Sequence, residues 1–209
     1  MEDEMKIVGI LGSSRREGNS DILLDLALQE AKEHGARISK IPLSGKTIAP
    51  CNGCQKCVKT GKCVIKDDME TVYREMLEAE GIIWATPVYF WSMSGQAKTV
   101  MDRTYALTFP NLQLMDKVGG LIVVAGSRGC MNTANIFHMY FSYNHMFFAE
   151  FASGYAMAKG DIKNNLYTVN AVKEMVRQMI HLIRANLKYP EEFHSPLPRF
   201  VREKYELSS

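Results

Sequence analysis

The chain has 209 residues, 46% of them hydrophobic and 23% charged, the composition of a soluble globular protein that can bury a core without staples. Its 25 basic and 23 acidic side chains leave a formal charge of +2, which excludes the strong field expected of a partner for nucleic acid or an anionic membrane. No apolar run reaches about 18 residues, so no transmembrane helix is expected, and the acidic opening Met1-Glu2-Asp3-Glu4-Met5 lacks the basic and apolar regions of a signal peptide.

Lys6-Ile7-Val8-Gly9-Ile10-Leu11 is a short continuous apolar run, the pattern of a parallel strand buried on both faces. It ends in Gly12-Ser13-Ser14-Arg15-Arg16-Glu17-Gly18-Asn19-Ser20, and a helix follows with Ile22, Leu23, Leu26 and Ala27 on one face, stopping near Gly35. Strand, Gly-rich polar turn and helix together present backbone N–H groups and a positive helix end to one anion. Hydroxyls of Ser13, Ser14 and Ser20, the Asn19 amide and the Arg15 fork can add donors. The turn satisfies neither Gly-x-Gly-x-x-Gly nor Gly-x4-Gly-Lys-Ser/Thr, which leaves a phosphate site suited to a mononucleotide.

Residues 36–43 alternate apolar and polar and carry Pro42, as an edge strand would. Residues 48–66 then hold four of the five cysteines, Cys51, Cys54, Cys57 and Cys63, spaced Cys-x2-Cys-x2-Cys-x5-Cys. Four convergent thiolates suit a [4Fe–4S] cubane or a tetrahedral zinc ion. Zinc more often uses two separated Cys-x2-Cys knuckles, and a third Cys in the same run leans toward iron–sulfur. A cytoplasmic location is expected, where thiols stay reduced and free to bind metal. The thirteen Met read as core filler.

Asp67-Asp68-Met69-Glu70 offers a cap and a first-turn acid to a helix running to about Ala79. Gly81–Ala85 is the third strand. The loop 86–95 holds Pro87, Val88, Tyr89, Phe90 and Trp91, and aromatics on a connection are expected to meet a ligand or another subunit. Ser94 then opens a helix. Val118–Ala125 is the fourth strand, followed by Gly126-Ser127-Arg128-Gly129-Cys130, in which Cys130 reads as structural. Residues 131–149 are expected to be helical, with His138 and His145 as packing or surface residues. Residues 150–158 form a fifth strand, Val169 to Leu187 a long amphipathic helix, and residues 190–209 a Pro-rich arm.

Alternating strands and helices imply one doubly wound α/β domain over residues 1–209, with its ligand at the carboxyl ends of the strands. Three special loops, 12–20, 86–95 and 126–130, follow strands and meet at one edge: an anion site, an aromatic platform and a Gly-lined wall, a combination that fits FMN.

The turn Gly12-Ser13-Ser14-Arg15 with Asn19-Ser20, the stretch Thr86-Pro87-Val88-Tyr89-Phe90, and Ser94-Gly95-Gln96-Ala97-Lys98 with Asp102-Arg103 resemble the NADPH-dependent FMN reductase superfamily. Adding Cys51, Cys54, Cys57 and Cys63 makes the sequence similar to the iron–sulfur flavoproteins of anaerobic microbes. The resemblance covers residues 6–128 well and the remainder loosely. It implies a flavodoxin-like five-stranded sheet of order 2-1-3-4-5, FMN plus one [4Fe–4S] cluster per subunit, and a homodimer or homotetramer. It also implies electron transfer from ferredoxin or NAD(P)H to a small acceptor such as O2, H2O2 or a quinone. Ser13, Arg15, Asn19 and Ser20 would hold the phosphate; Pro87, Val88, Tyr89 and Phe90 would line the ring and ribityl chain, with Gly126 and Ser127 opposite. Where some relatives carry Gly-Gly-Gln, this chain has Gly129-Cys130-Met131-Asn132. Two other readings stay open: an NAD(P)H-dependent FMN or quinone reductase with structural zinc or no metal, and a non-catalytic redox sensor.

Overall fold

A computed structural model describes residues 5–197; residues 1–4 of the acidic opening and 198–209 of the expected arm lie outside them. The elements run β1 (Lys6–Leu11), α1 (Asn19–Glu33), β2 (Arg37–Pro42), α2 (Cys57–Thr60), α3 (Met69–Glu78), β3 (Gly81–Tyr89), β4 (Ser92–Met93), α4 (Gly95–Arg103), α5 (Tyr105–Thr108), β5 (Val118–Ala125), α6 (Cys130–Tyr143), β6 (Phe147–Phe148), β7 (Ala152–Tyr155) and α7 (Leu166–Ala185). Every residue of β1 and β5 is buried, as their unbroken apolar runs require.

The sheet has seven strands in the order β2-β1-β3-β5-β6, with β4 paired to β3 and β7 to β5, rather than the five expected. Two local events account for the difference. First, the expected loop 86–95 is strand through Tyr89, and the chain folds back at Phe90-Trp91 so that Val88 pairs with Met93, antiparallel. Second, the outer column is divided between β6 and β7, both parallel to β5. Gly119 pairs with Phe148 but Ile122 pairs with Ala152, so the outer strand carries one residue more than its partner, the signature of a bulge. β2 closes the other edge.

Strand side chains alternate between two cores. Val8 and Ile10 join Met69, Val72, Val100 and Phe137 beneath α3, α4 and α6. Ile7 and Leu11 join Leu24, Ala27, Val176 and Met179 beneath α1 and α7. Helices approach β5 closely because it begins with glycines: a Cβ on Gly119 would lie 2.7 Å from the Phe141 ring.

Two helix ends differ from expectation. α6 stops at Tyr143 instead of reaching residue 149, because Asn144 caps it and His145 takes a left-handed φ of 51° that turns Phe147 into the sheet. α7 ends at Ala185 on a left-handed Asn186, leaving Leu187 outside. Both histidines pack as expected: His138 stacks on Phe148 at 5.1 Å and His145 on Tyr189 at 5.1 Å. No helix among the described residues is long and apolar enough to cross a membrane.

Candidate functional site

The carboxyl ends of β1, β3 and β5 open into one cleft lined by Ser13, Arg15, Asn19, Ser20, Pro87, Val88, Tyr89 and Gly126. Ser14, Phe90 and Ser127 stand outside that lining; Phe90, at the hairpin tip, is 98% exposed. Sequence reading missed Ala156 and Met157, which also line the cleft and follow β7 at the same sheet edge. The topology could have supplied that signal, since every loop after a parallel strand reaches this edge.

The residues present fit a flavin mononucleotide. α1 begins directly at the cleft, and its leading N–H groups carry the positive end of the helix dipole. Ser13 is buried, and its Oγ accepts from the Arg15 N–H at 3.2 Å, shaping the turn. Ser94 Oγ donates to the Gly12 carbonyl at 2.6 Å and accepts from the Ala97 N–H at 3.2 Å, joining the turn after β1 to the start of α4. Opposite, Gly126 and Met157 bound the cleft, and a Cβ on Gly126 would meet the exposed end of the Met157 side chain, 2.7 Å from its Sδ.

Asn19 is placed differently from the other polar residues. Its Nδ2 donates to the Ala158 carbonyl at 2.8 Å, and its Oδ1 accepts from the Gly160 N–H at 2.9 Å. The side chain therefore ties the loop after β7, which carries Met157, to the start of α1. Lys159 and Glu17 reinforce the tie at 2.9 Å. Asn19→Ala is expected to weaken FMN binding about tenfold, the equivalent of one net hydrogen bond, as read by equilibrium dialysis. An unchanged affinity would show that the loop holds its place without Asn19.

The cysteine loop builds a second pocket, lined by Cys51, Cys54, Cys57, Cys63, Ile65, Arg103 and Tyr105. Cys51 and Cys54 are exposed, Cys57 and Cys63 half-buried, and Cys130 is buried elsewhere. Burial pushes the Cys57 thiol up, and the neighbouring Cys63, Cys51 and Cys54 act in the same direction, a cost that a bound cation would remove. Among the described residues no three His, Cys, Asp or Glu side chains converge on one metal-sized point.

Both feet of this loop are held by Arg103, whose side chain is fully buried. Its Nη1 donates to the Ala49 carbonyl and to Asp67 Oδ2, each at 2.7 Å; its Nη2 donates to the Ile65 carbonyl at 3.2 Å and to Asp67 Oδ1 at 3.1 Å. Asp67 also accepts from the Ala49 N–H at 2.9 Å and from the N–H of Met69, the first residue of α3, at 3.1 Å. Tyr73 OH donates to the Arg103 carbonyl at 2.7 Å. Arg103 Nε is buried with no partner and belongs to a side chain that lines the thiol pocket, a charged donor suited to an anionic group there.

Burial alone would push the Asp67 carboxyl up, but Arg103 and the N–H groups of Ala49 and Met69 outweigh it and hold the carboxyl below its ordinary value. A depressed carboxyl contributes stability that is complete above its unfolded value, near 3.8, and is lost as pH falls through the folded one. The stability gap between wild type and Asp67→Asn should therefore stay level from neutral pH to about 4 and close in stronger acid. Urea unfolding at stepped pH measures it; a gap already closing near pH 6 would contradict the latch.

The ends of α4 face the two regions: Ser94, just before it, bonds to the turn after β1, and Arg103, at its end, lines the thiol pocket. The nine residues of α4 span about 13 Å.

The model of the NADPH-dependent FMN reductase family matches residues 5–159. An iron–sulfur flavoprotein of Methanocaldococcus jannaschii is 37% identical over 193 residues, 86% of this chain and 100% of that relative. An iron–sulfur flavoprotein of Methanosarcina thermophila is 41% identical over 124 residues, 59% of this chain and 65% of that one. Among solved structures, RosB with a bound 8-demethyl-8-formylriboflavin-5′-phosphate superposes with a TM-score of 0.76 at 15% identity, covering 98% of this chain and 88% of RosB. A flavodoxin from the Archaea gives a TM-score of 0.56 at 11% identity over 86% and 99% of the two chains, so both likenesses speak for a flavodoxin-like fold. With a flavin cleft at the sheet edge and a matched family model over most of its length, the chain belongs to the NADPH-dependent FMN reductase family, among the iron–sulfur flavoproteins, and is an FMN-dependent oxidoreductase.

Proposed function

We propose that this oxidoreductase is an electron-transfer protein holding a [4Fe–4S] cluster on Cys51, Cys54, Cys57 and Cys63 beside its FMN. When bound, the cluster supplies one-electron transfer and the FMN a two-electron store, so that a one-electron donor is coupled to a two-electron acceptor. The observation that carries this reading is the set of four thiols around a single pocket, clamped at both ends by Arg103 and Asp67. The third Cys in one short run favours a cubane over zinc, which more often takes two separated Cys-x2-Cys knuckles.

The protein's own groups bind, orient and shield. The start of α1, with Arg15, Ser13 and Ser20, holds the phosphate; Pro87, Val88 and Tyr89 offer the ring a flat apolar face. Met157 and Gly126 bound the opposite side, and Asn19 holds that loop in place. The Arg103 guanidinium lines the thiol pocket and would steady negative charge there. Ferredoxin, or NAD(P)H, is the proposed donor, O2, H2O2 or a quinone the acceptor, and a homodimer or homotetramer the proposed assembly.

An anaerobic visible spectrum before and after reduction tests the reading. Flavin bands overlying a broad absorption that bleaches in a separate step support it; flavin bands alone would leave a plain FMN reductase.

A further inference from the structure

We propose that Lys40, on the edge strand β2 and outside the lining of the cleft, is a positioning residue for the FMN phosphate: it neutralises the Asp21 carboxylate and so leaves the positive end of α1 free for a second anion. The proposal rests on the phosphate reading of that helix end given above, and adds what sets the charge there.

α1 opens Asn19-Ser20-Asp21, so Asp21 lies in its first turn. An acid at that position favours the helix by itself, because it meets the positive end of the dipole. Where the same end holds a phosphate, the acid becomes a competing anion of like charge. Asp21 is not free to turn away into water. It is buried, its Oδ2 accepts from the Glu17 N–H at 2.7 Å, and its Oδ1 accepts from Lys40 Nζ.

The bond to Glu17 has a local use. Glu17 carries a left-handed φ of 52°, uncommon for a residue with a side chain. It belongs to the tight turn in which the Gly18 N–H meets the carbonyl of Arg15, a residue of the cleft wall, at 3.1 Å. The turn thus uses the Asp21 oxygen, while an arriving phosphate is repelled by its charge.

Lys40 meets both demands. Its Nζ also donates to Asp25 Oδ1, one helical turn further along α1. Among the described residues Lys40 is the only cation in an ion pair with either carboxylate. The Asp25 side chain is 62% exposed, so water and salt screen its field, whereas Asp21 lacks that screening. Glu17, the other carboxylate of this region, is paired with Lys159 at 2.9 Å. Burial would lower the Lys40 ammonium, but Asp21 and Asp25 outweigh it and hold the group above its ordinary value, so its charge persists at neutral pH.

A pair that merely fastens β2 to α1 would affect every flavin alike, and riboflavin offers the same ring and ribityl chain without the phosphate. Equilibrium dialysis of the full chain against FMN, and separately against riboflavin, reads the difference. Lys40→Met keeps most of the stem and removes the charge. It should weaken FMN binding about tenfold, the order expected of one uncompensated charge near a phosphate at a protein surface, and change riboflavin binding less than about twofold. Lys40→Arg should restore FMN binding to near wild type. Adding Asp21→Asn to Lys40→Met should restore it as well, since the amide oxygen still accepts from Glu17 and carries no charge. FMN and riboflavin weakening in step would overturn the proposal and leave a structural tie. A double variant as weak as Lys40→Met, or Lys40→Met with wild-type FMN affinity, would overturn it too. A wild type that holds riboflavin as tightly as FMN would overturn the phosphate site itself, and the proposal with it.

Discussion

Cys54→Ala is expected to remove the cluster and reduction by ferredoxin while FMN stays bound at its normal ratio. Cys54 is an exposed loop residue whose side chain joins neither core, so its loss costs the fold little. A cubane held by three thiolates loses one iron's only protein ligand. Cys54 is not among the residues that line the cleft proposed for FMN. Visible and electron paramagnetic resonance spectra, with stopped-flow reduction, separate the effects. Ferredoxin-linked reduction surviving unchanged would contradict the relay.

Arg103→Gln is expected to have the broader effect. The wild-type side chain satisfies two loop carbonyls and pairs with both oxygens of Asp67 while fully buried. Removing one member of such a pair leaves the other buried and unpaired, at a cost of about 3–5 kcal/mol. The cost falls on the loop's two feet, so the variant should bind iron poorly and unfold at lower urea, with flavin affinity near wild type. Arg103→Gln with Asp67→Asn should recover part of the stability, because no lone charge remains, but not the cluster. Full cluster loading in Arg103→Gln, at wild-type stability, would show that the loop is positioned by other contacts.

These expectations rest on residues that were legible to different degrees. β1, β3 and β5 could be read from runs such as Leu121-Ile122-Val123-Val124, because a strand covered on both faces has no polar side to interrupt it. The proposed cysteine ligand set was equally easy to pick out, since its information is all in local spacing. The hairpin at residues 89–92 was not. Two-residue hairpin turns announce themselves through Asn-Gly or similar pairs, and here Phe90 and Trp91 take φ values of 46° and 74°. The outer strand was blurred for a related reason: a bulge shifts register by one, which breaks the alternation a strand is recognised by.

Within the candidate site, residue type suggested the partner chemistry but not the partner. Asn19 suggested an amide for phosphate, and in the fold that amide is spent on Ala158 and Gly160, 139 and 141 positions away. Arg103 sat in a quoted motif without a role, because its partners at Ala49, Ile65 and Asp67 meet it only once α4 packs under the loop. Long-range hydrogen bonds leave no periodic trace in a sequence, whereas burial and metal spacing do.

The claim on which the rest depends is that one polypeptide carries both redox groups. Iron, acid-labile sulfide and FMN determined per chain on anaerobically purified protein test it directly. The account predicts about four iron, about four sulfide and one FMN. Zinc without sulfide, or flavin without iron in protein made with iron in excess, would contradict it.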